Sequence, residues 1–218
     1  MFVAFAAAAV VLVAALAFSR LTSHLPPGRR APEFRVHGAL GGAVREFSLR
    51  EALAAGPVVL CFFPKSFTKG CTIEMRAFAE RIGEFEAAGA TVLGVSGDDL
   101  ETQRRFSATE CAGKVMIASD PGFIAKRYRV ALAGGASNRT SYVIAPDGTI
   151  AESFSSMFEP RKHVDATLKA VRSLASARPA PAGTAAPALR AEASADGAGA
   201  QRAEDAASGE GSALRANR

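Results

Sequence analysis

The stretch Pro64-Lys65-Ser66-Phe67-Thr68-Lys69-Gly70-Cys71-Thr72-Ile73-Glu74 sets a thiol, hydroxyls, two cations and a carboxylate within eleven positions. The chemistry open to Cys71 depends on its ionisation. A free thiol titrates near 8.5 and is roughly 3% thiolate at pH 7, whereas a thiol brought to around 6 is roughly 90% thiolate. A helix N-terminus with one nearby cation achieves such a change, because its backbone N–H groups lack partners and its dipole end is positive. The other reading of Cys71 is a small buried hydrophobe. Its position after Gly70, with the Thr68 hydroxyl three residues earlier, favours the reactive one.

The flanking sequence supplies the turn that this chemistry needs. The run Pro57-Val58-Val59-Leu60-Cys61-Phe62-Phe63 is short, branched and aromatic, which predicts a buried strand. After it, Met75, Phe78, Ile82 and Phe85 recur at helical spacing. Cys71 is therefore expected on a strand-to-helix turn, at or just inside a helix start.

These residues resemble a known family. Pro64, Thr68 and Cys71 match the Pro-x-x-x-Thr-x-x-Cys active-site pattern of the AhpC/TSA-like peroxiredoxins. The Gly70-Cys71-Thr72-x-Glu74 continuation is similar to the bacterioferritin-comigratory (Q-type) branch. Downstream, Asn138-Arg139-Thr140-Ser141-Tyr142-Val143-Ile144-Ala145-Pro146-Asp147-Gly148 resembles the family's arginine-bearing strand and its turn. The resemblance runs from about Pro32 to Leu174. It implies a thioredoxin-like α/β fold with peroxiredoxin additions and a mixed central sheet flanked by helices.

The resemblance also implies a reaction, a thiol-dependent reduction of hydrogen peroxide and organic hydroperoxides. In it Cys71 is the peroxidatic nucleophile and becomes a sulfenic acid. Thr68 orients peroxide and thiolate. Arg139 holds the thiolate and stabilises developing charge, and Pro64 shapes and shields the pocket. The N–H groups of Gly70 and Cys71 complete the oxygen site, and Glu74 orients Arg139 from one turn into the helix. Simpler readings stand beside these: a helix cap for Thr68, a surface base for Arg139, a strand end for Pro64, a helix-start preference for Glu74.

The pattern departs from the family at two places. Arg76 occupies the position, five after the nucleophile, where Q-type members often carry a resolving cysteine. Lys69 replaces the usual proline before Gly70. Of the remaining cysteines, Cys61 falls in the apolar strand and is expected to be inert packing. Cys111 follows a helix ending near Glu110 and is the candidate resolving thiol. Pairing it with Cys71 would need local unfolding, because a disulfide requires Cα atoms within roughly 7 Å. Without it the chemistry is that of a one-cysteine enzyme.

Over 218 residues the chain carries three cysteines, too few and odd in number for a disulfide scaffold, and no Cys-x-x-Cys or Cys/His cluster. No cofactor or metal is expected. His24, His37 and His163 are scattered and are expected to be surface or satisfied. The net charge of +5 comes without a basic helix or an aromatic-interleaved patch, so nucleic acid is not an expected partner.

Phe2 to Phe18 is unbroken apolar sequence. Counting Met1 it would make a helix of about 27 Å, just short of a ~30 Å hydrocarbon core. Residues 1–19 are expected to be a single membrane anchor, with Arg20, Arg29 and Arg30 holding the domain on the cytoplasmic side. A signal segment cleaved near Ala15-Leu16-Ala17, and a misassigned start, are the alternatives. Residues 20–31, with Leu25-Pro26-Pro27-Gly28-Arg29-Arg30, are expected to be a stiff linker. From Ser176 to Arg218 the chain has no aromatic, Val or Ile and is expected to be a disordered tail.

Between these lies one folded domain, 32–175. Expected strands are Glu33–Val36, Val44–Phe47, Thr91–Val95 and Val115–Ala118, with a hairpin across Pro146-Asp147-Gly148. Expected helices are Leu49–Ala54 capped by Ser48, one from Cys71 to a Gly89 cap, Leu100–Thr109, one capped by Asp120 through Tyr128, and Pro160–Ala175. The expected partners are a peroxide, thioredoxin or another thiol reductant, and a membrane through the N-terminal segment. The expected state is a monomer or weak dimer. The competing functions are a membrane-tethered thiol–disulfide oxidoreductase, weakened by the missing Cys-x-x-Cys, and a non-enzymatic redox sensor.

Overall fold

The computed structural model describes residues 24–177. In chain order its elements are β1 (Arg35–Leu40), β2 (Ala43–Ser48), α1 (Leu49–Ala55), β3 (Val58–Phe62), α2 (Lys69–Glu80), α3 (Ile82–Ala87), β4 (Thr91–Ser96), α4 (Leu100–Thr109), β5 (Met116–Ser119), α5 (Phe123–Arg127), β6 (Thr140–Ile144), β7 (Ile150–Ser155) and α6 (Pro160–Ala177). The strands form one mixed sheet in the order β2-β1-β5-β4-β3-β6-β7.

The apolar run becomes β3, between parallel β4 and antiparallel β6. Alternate residues serve opposite faces. Val59 and Cys61 join the layer of Met75, Phe78, Phe106 and Leu168. Val58, Leu60 and Phe62 join that of Phe34, Tyr128 and Tyr142. A strand covered on both faces needs no polar alternation, which is why it reads as a continuous apolar run. Helix α2 crosses the sheet closely over Gly94, where a Cβ would lie 3.0 Å from Met75 Sδ and 2.7 Å from Ile117 Cδ1.

Several boundaries differ from expectation. β1 runs on past Val36 to Leu40 and pairs antiparallel with β5 at Gly38, where a Cβ would lie 2.7 Å from the Ile117 carbonyl oxygen. The single helix expected up to Gly89 is broken at Arg81 (φ −107°, ψ 12°). Arg81 ties the break to Glu84 and to Asp165 of α6, and Phe85 then turns into the core against Phe78. Ser48 caps α1 as expected, accepting from the Glu51 N–H.

The expected linker 20–31 is corrected where it is described. Leu25 is buried, and its N–H donates to the Tyr142 hydroxyl. The Gly28 N–H donates to the Ile150 carbonyl, the Ile150 N–H to Arg29, and the Ala31 N–H to Gly148. These bonds and the buried Leu25 hold the segment along the β6–β7 hairpin instead of spacing it away. The expected anchor, residues 1–19, lies outside the described residues, as does the expected tail beyond Ala177, the end of α6. Among the described residues no helix is long and apolar enough to cross a membrane.

Asp120 does more than cap a helix. Its Oδ1 accepts from the N–H groups of Gly122, Phe123 and Ile124, and its Oδ2 from Ala125, all with the carboxylate buried. Asp120→Ala strands these donors. Leaving such groups unpaired costs about 1–3 kcal/mol each where no water reaches them, and relaxation recovers part of it. The expected result is a urea midpoint lowered by about 2–4 kcal/mol of stability at an unchanged m-value.

Candidate active site

The site is assembled where the C-terminal end of β3 meets the start of α2. Thr68 has extended backbone geometry at the cap position but makes no side-chain cap bond. Its hydroxyl instead donates to the Lys65 carbonyl at 2.9 Å. The first turn of the helix closes with the Thr72 N–H on the Thr68 carbonyl at 2.9 Å. The N–H groups of Gly70 and Cys71 precede that bond and have no acceptor within the helix.

The loop before the helix is held from α4 and from the turn that leads into it. The Ser66 N–H donates to Asp98 Oδ2 at 2.7 Å, and the Ser66 hydroxyl to Gln103 Oε1 at 2.8 Å. Gln103 Nε2 and Asp98 Oδ2 converge in turn on the Ser96 hydroxyl. Phe67 adopts φ 62°, a left-handed conformation that costs a non-glycine residue about 1–2 kcal/mol. Its ring is seated edge-on against Phe106 at 5.1 Å, under the Arg105 guanidinium. Asp98 and Gln103 were missed in the sequence. Asp98 lies in the turn after β4 and Gln103 on α4, and only the parallel pairing of β3 with β4 brings them to the Ser66 loop.

Arg139 arrives from the opposite direction. Antiparallel pairing sets Thr140 beside Phe62, so the residue before it stands next to the start of the Pro64 loop. Arg139 is 4% exposed. Its Nη2 lies 3.4 Å from Cys71 Sγ, Nη1 donates to Glu74 Oε2 and contacts the Gly70 carbonyl at 3.4 Å, and Nε donates to the Met157 carbonyl at 3.3 Å. Cys71 and Glu74, three apart, share one face of α2, and a single planar fork spans both. Gly70 leaves room here, since a Cβ on it would lie 2.9 Å from Arg139 Nη2 and displace the guanidinium. Pro64 is half-buried at the mouth of the loop.

Behind Glu74 lies His163, which sequence reasoning treated only as surface or satisfied. It is buried, with Nδ1 at 2.9 Å from Ser141 Oγ and Nε2 at 3.0 Å from the Ser156 carbonyl. Its Nδ1 is also 3.5 Å from Glu74 Oε1. The available signal was its place on the apolar stripe of α6 with Val164, Thr167, Leu168 and Val171.

Burial dominates the titration of these groups. It pushes Glu74 up to about 8, against the opposing pull of Arg139. It pushes His163 down to about 4, with the Ser156 carbonyl opposing and Arg139 reinforcing. Burial also disfavours the charge on Arg139, but Glu74 and Cys71 together keep its pKa above the ordinary value.

Cys61 is buried in β3, and burial, helped by Glu74, raises its thiol well above the usual range. Burial, with Glu110 adding and Arg76 opposing, pushes Cys111 up to about 12. All three thiols are free. Arg76, where a Q-type resolving cysteine would stand, pairs at 2.6 Å with Glu110, the neighbour of Cys111. Among the described residues no group of three or more His, Cys, Asp and Glu side chains is placed to hold a metal ion.

A helix-borne thiol under a guanidinium, on a mixed sheet flanked by helices, defines a class of thioredoxin-like thiol enzymes. The profile described as the AhpC/TSA family matches residues 27–153. Chloroplastic peroxiredoxin Q of Oryza sativa subsp. japonica is 31% identical over 149 residues, covering 67% of each chain. That of Arabidopsis thaliana is 32% identical over 144 residues, covering 65% of each. Among solved structures, peroxidoxin BcpB from Mycobacterium tuberculosis superposes with a TM-score of 0.63 at 29% identity, over 69% of this chain and 98% of that one. The chain belongs to the AhpC/TSA family, the peroxiredoxins, which are thiol-dependent peroxidases of thioredoxin-like fold.

The two buried titrations have opposite signs. Between about 6.5 and 4 the unfolded chain takes up a proton at His163 that the folded chain refuses, so this contribution is complete above 6.5 and lost as pH falls. Glu74 holds its proton up to about 8 when folded, so its contribution is complete below the ordinary value of 4.5 and lost as pH rises. Urea midpoints are therefore expected to decline between about pH 6.5 and 8, on the order of 2 kcal/mol. Glu74→Gln is expected to abolish that alkaline decline and to unmask the His163 loss below about 6.5, which Glu74 offsets in the wild type down to about 4.5.

Proposed function

We propose that Cys71 is the peroxidatic nucleophile of this peroxidase and that hydrogen peroxide and organic hydroperoxides are its substrates. The observation that carries this reading is the 3.4 Å approach of Arg139 Nη2 to Cys71 Sγ at the start of α2. In the reaction the thiolate sulfur attacks the nearer peroxide oxygen, the S–O bond forms and the O–O bond breaks. The distal oxygen leaves as hydroxide or alkoxide and takes up a proton, while Cys71 becomes a sulfenic acid. An incoming thiol then displaces water to give a mixed disulfide. A second thiol of the reductant releases the Cys71 thiol and carries away the disulfide.

Each neighbour has a part. Thr68 has its proton committed to Lys65, which leaves its lone pairs for a peroxide O–H. Arg139 and the N–H groups of Gly70 and Cys71 face the charge that develops on the leaving oxygen. One preorganised donor of this kind is worth roughly 3–4 kcal/mol. Pro64 screens the sulfur from water, and Glu74 holds the guanidinium in plane. The reductant is thioredoxin-like. The apolar segment Phe2–Phe18 supports tethering of the domain to a membrane, or its export. Cys111 is the candidate resolving thiol; its burial and that of Cys71 require local opening before the two can bond.

Stopped-flow oxidation of the reduced protein, followed by peptide mapping, tests this reading. Cys71→Ser is expected to abolish peroxide turnover, and unchanged turnover would discard the mechanism. Arg139→Ala is expected to slow oxidation by roughly 10²–10³-fold. Gly70→Ala, which pushes the guanidinium from the sulfur, is expected to slow it by roughly tenfold or more. After one equivalent of peroxide, a Cys71–Cys111 disulfide supports internal resolution, and a persistent sulfenic acid means that an external thiol does the work.

A further inference from the structure

The Glu74 carboxyl is only half accounted for by Arg139. Its Oε1 is buried and has no hydrogen-bond partner, yet His163 Nδ1 stands 3.5 Å away. The state of that ring follows from its other contacts. The Ser156 carbonyl, 3.0 Å from Nε2, can only accept, so Nε2 carries hydrogen. In a neutral ring Nδ1 is then an acceptor with a single lone pair, which the Ser141 hydroxyl at 2.9 Å shares with any proton on Glu74 Oε1 at 3.5 Å. An ionised Glu74 would set a carboxylate oxygen against an imine nitrogen, two acceptors with no hydrogen between them. Both side chains are 0% exposed, so water does not relieve the contact.

The charges around the pair are few. Glu74 is faced by Arg139 at the start of β6, by Cys61 of β3, by His163 of α6 and by Cys71 on its own helix. His163 is faced in addition by Glu159, at the turn into α6. Cys61 remains a thiol, and Phe154 closes the ring edge-on at 4.7 Å.

We propose that Glu74 Oε1 carries a proton that it presents to His163 Nδ1, and that this proton reserves the Arg139 charge for Cys71 and the departing oxygen. His163 is then a positioning residue. It touches no reacting atom and acts through Glu74 on Arg139. The inference rests on the roles proposed above for Cys71 and Arg139. Burial raises the carboxyl and lowers the imidazole, which puts the proton on Glu74. At alkaline pH Glu74 releases it to solvent, the carboxylate neutralises the guanidinium, and the sulfur and leaving oxygen lose that charge. The active form is the protonated one, present below about 8 and lost above it.

Infrared difference spectroscopy of the full chain as Cys71→Ser, from about pH 6 to pH 10, is the direct test. The expected result is the loss of one buried carboxylic-acid carbonyl band with a midpoint near 8. The band is expected to be absent when Glu74→Gln is added. With His163→Asn its midpoint is expected to fall by about one pH unit, because an amide N–H at the Nδ1 position donates to the carboxylate. In stopped-flow, the wild-type rate constant is expected to fall roughly tenfold above that midpoint, and His163→Asn to move this limb down by the same unit. A lowered plateau with the limb in place would make His163 merely structural and overturn the proposal.

Should His163→Asn not fold, long-range nitrogen NMR of the native imidazole decides. A neutral ring protonated at Nε2 is expected between about pH 6 and 9, and a ring protonated at Nδ1 overturns the proposal. A missing carboxylic-acid band, in a protein whose Cys71→Ser variant has lost turnover, overturns this inference alone. Turnover surviving in Cys71→Ser overturns the reading beneath it.

Discussion

A guanidinium almost without solvent, shared between a carboxyl and a sulfur, is the constraint around which the rest of the molecule is arranged. Removing a cation from water is costly unless its donors are met. Here the fork of Arg139 meets Glu74, the carbonyls of Gly70 and Met157, and Cys71. Those partners come from α2 and from the turn after β7. The side chain therefore acts as a gauge of whether the sheet, the helix and the turn are in register. A slip of one residue between β3 and β6 would send Arg139 to the other face of the sheet.

The sheet explains how residues so far apart in the chain reach one point. β3 and β4 run parallel, so their ends deliver Pro64 and Asp98 to the same edge, and β6 runs against them and brings Arg139 to it. Gly94 lets α2 lie close enough on the sheet for Met75 to seat, and Gly70 leaves the gap that the guanidinium occupies.

The chemistry-bearing residues on the strand–turn–helix unit were legible because their spacing is local: β3 is a doubly buried apolar run, and Cys71 sits where the helical period begins. Arg139 was legible only through the family resemblance, since nothing in its neighbourhood announces a contact 68 residues away. His163, Asp98 and Gln103 were not legible as site residues. Each reaches the site through strand order and helix packing, which no local pattern carries. The supposed linker misled for a related reason. Pro26 and Pro27 signal extended backbone, and extended backbone serves equally as a spacer or as a segment laid along a hairpin.

One contact set has a mechanical consequence. Ser66 is tied to Asp98 and Gln103, and Phe67 is seated on Phe106. The loop leading to the reactive turn is thus fastened to the helix that ends two residues before Cys111. Whatever unseats the loop also removes two of the inward contacts of α4, at Gln103 and Phe106, while Ser107 still holds the helix to Gly41 and Val115. Phe106 lies in the same core layer as the Cys71 and Cys111 sulfurs, so the packing that seats the loop is continuous with the packing that covers both thiols.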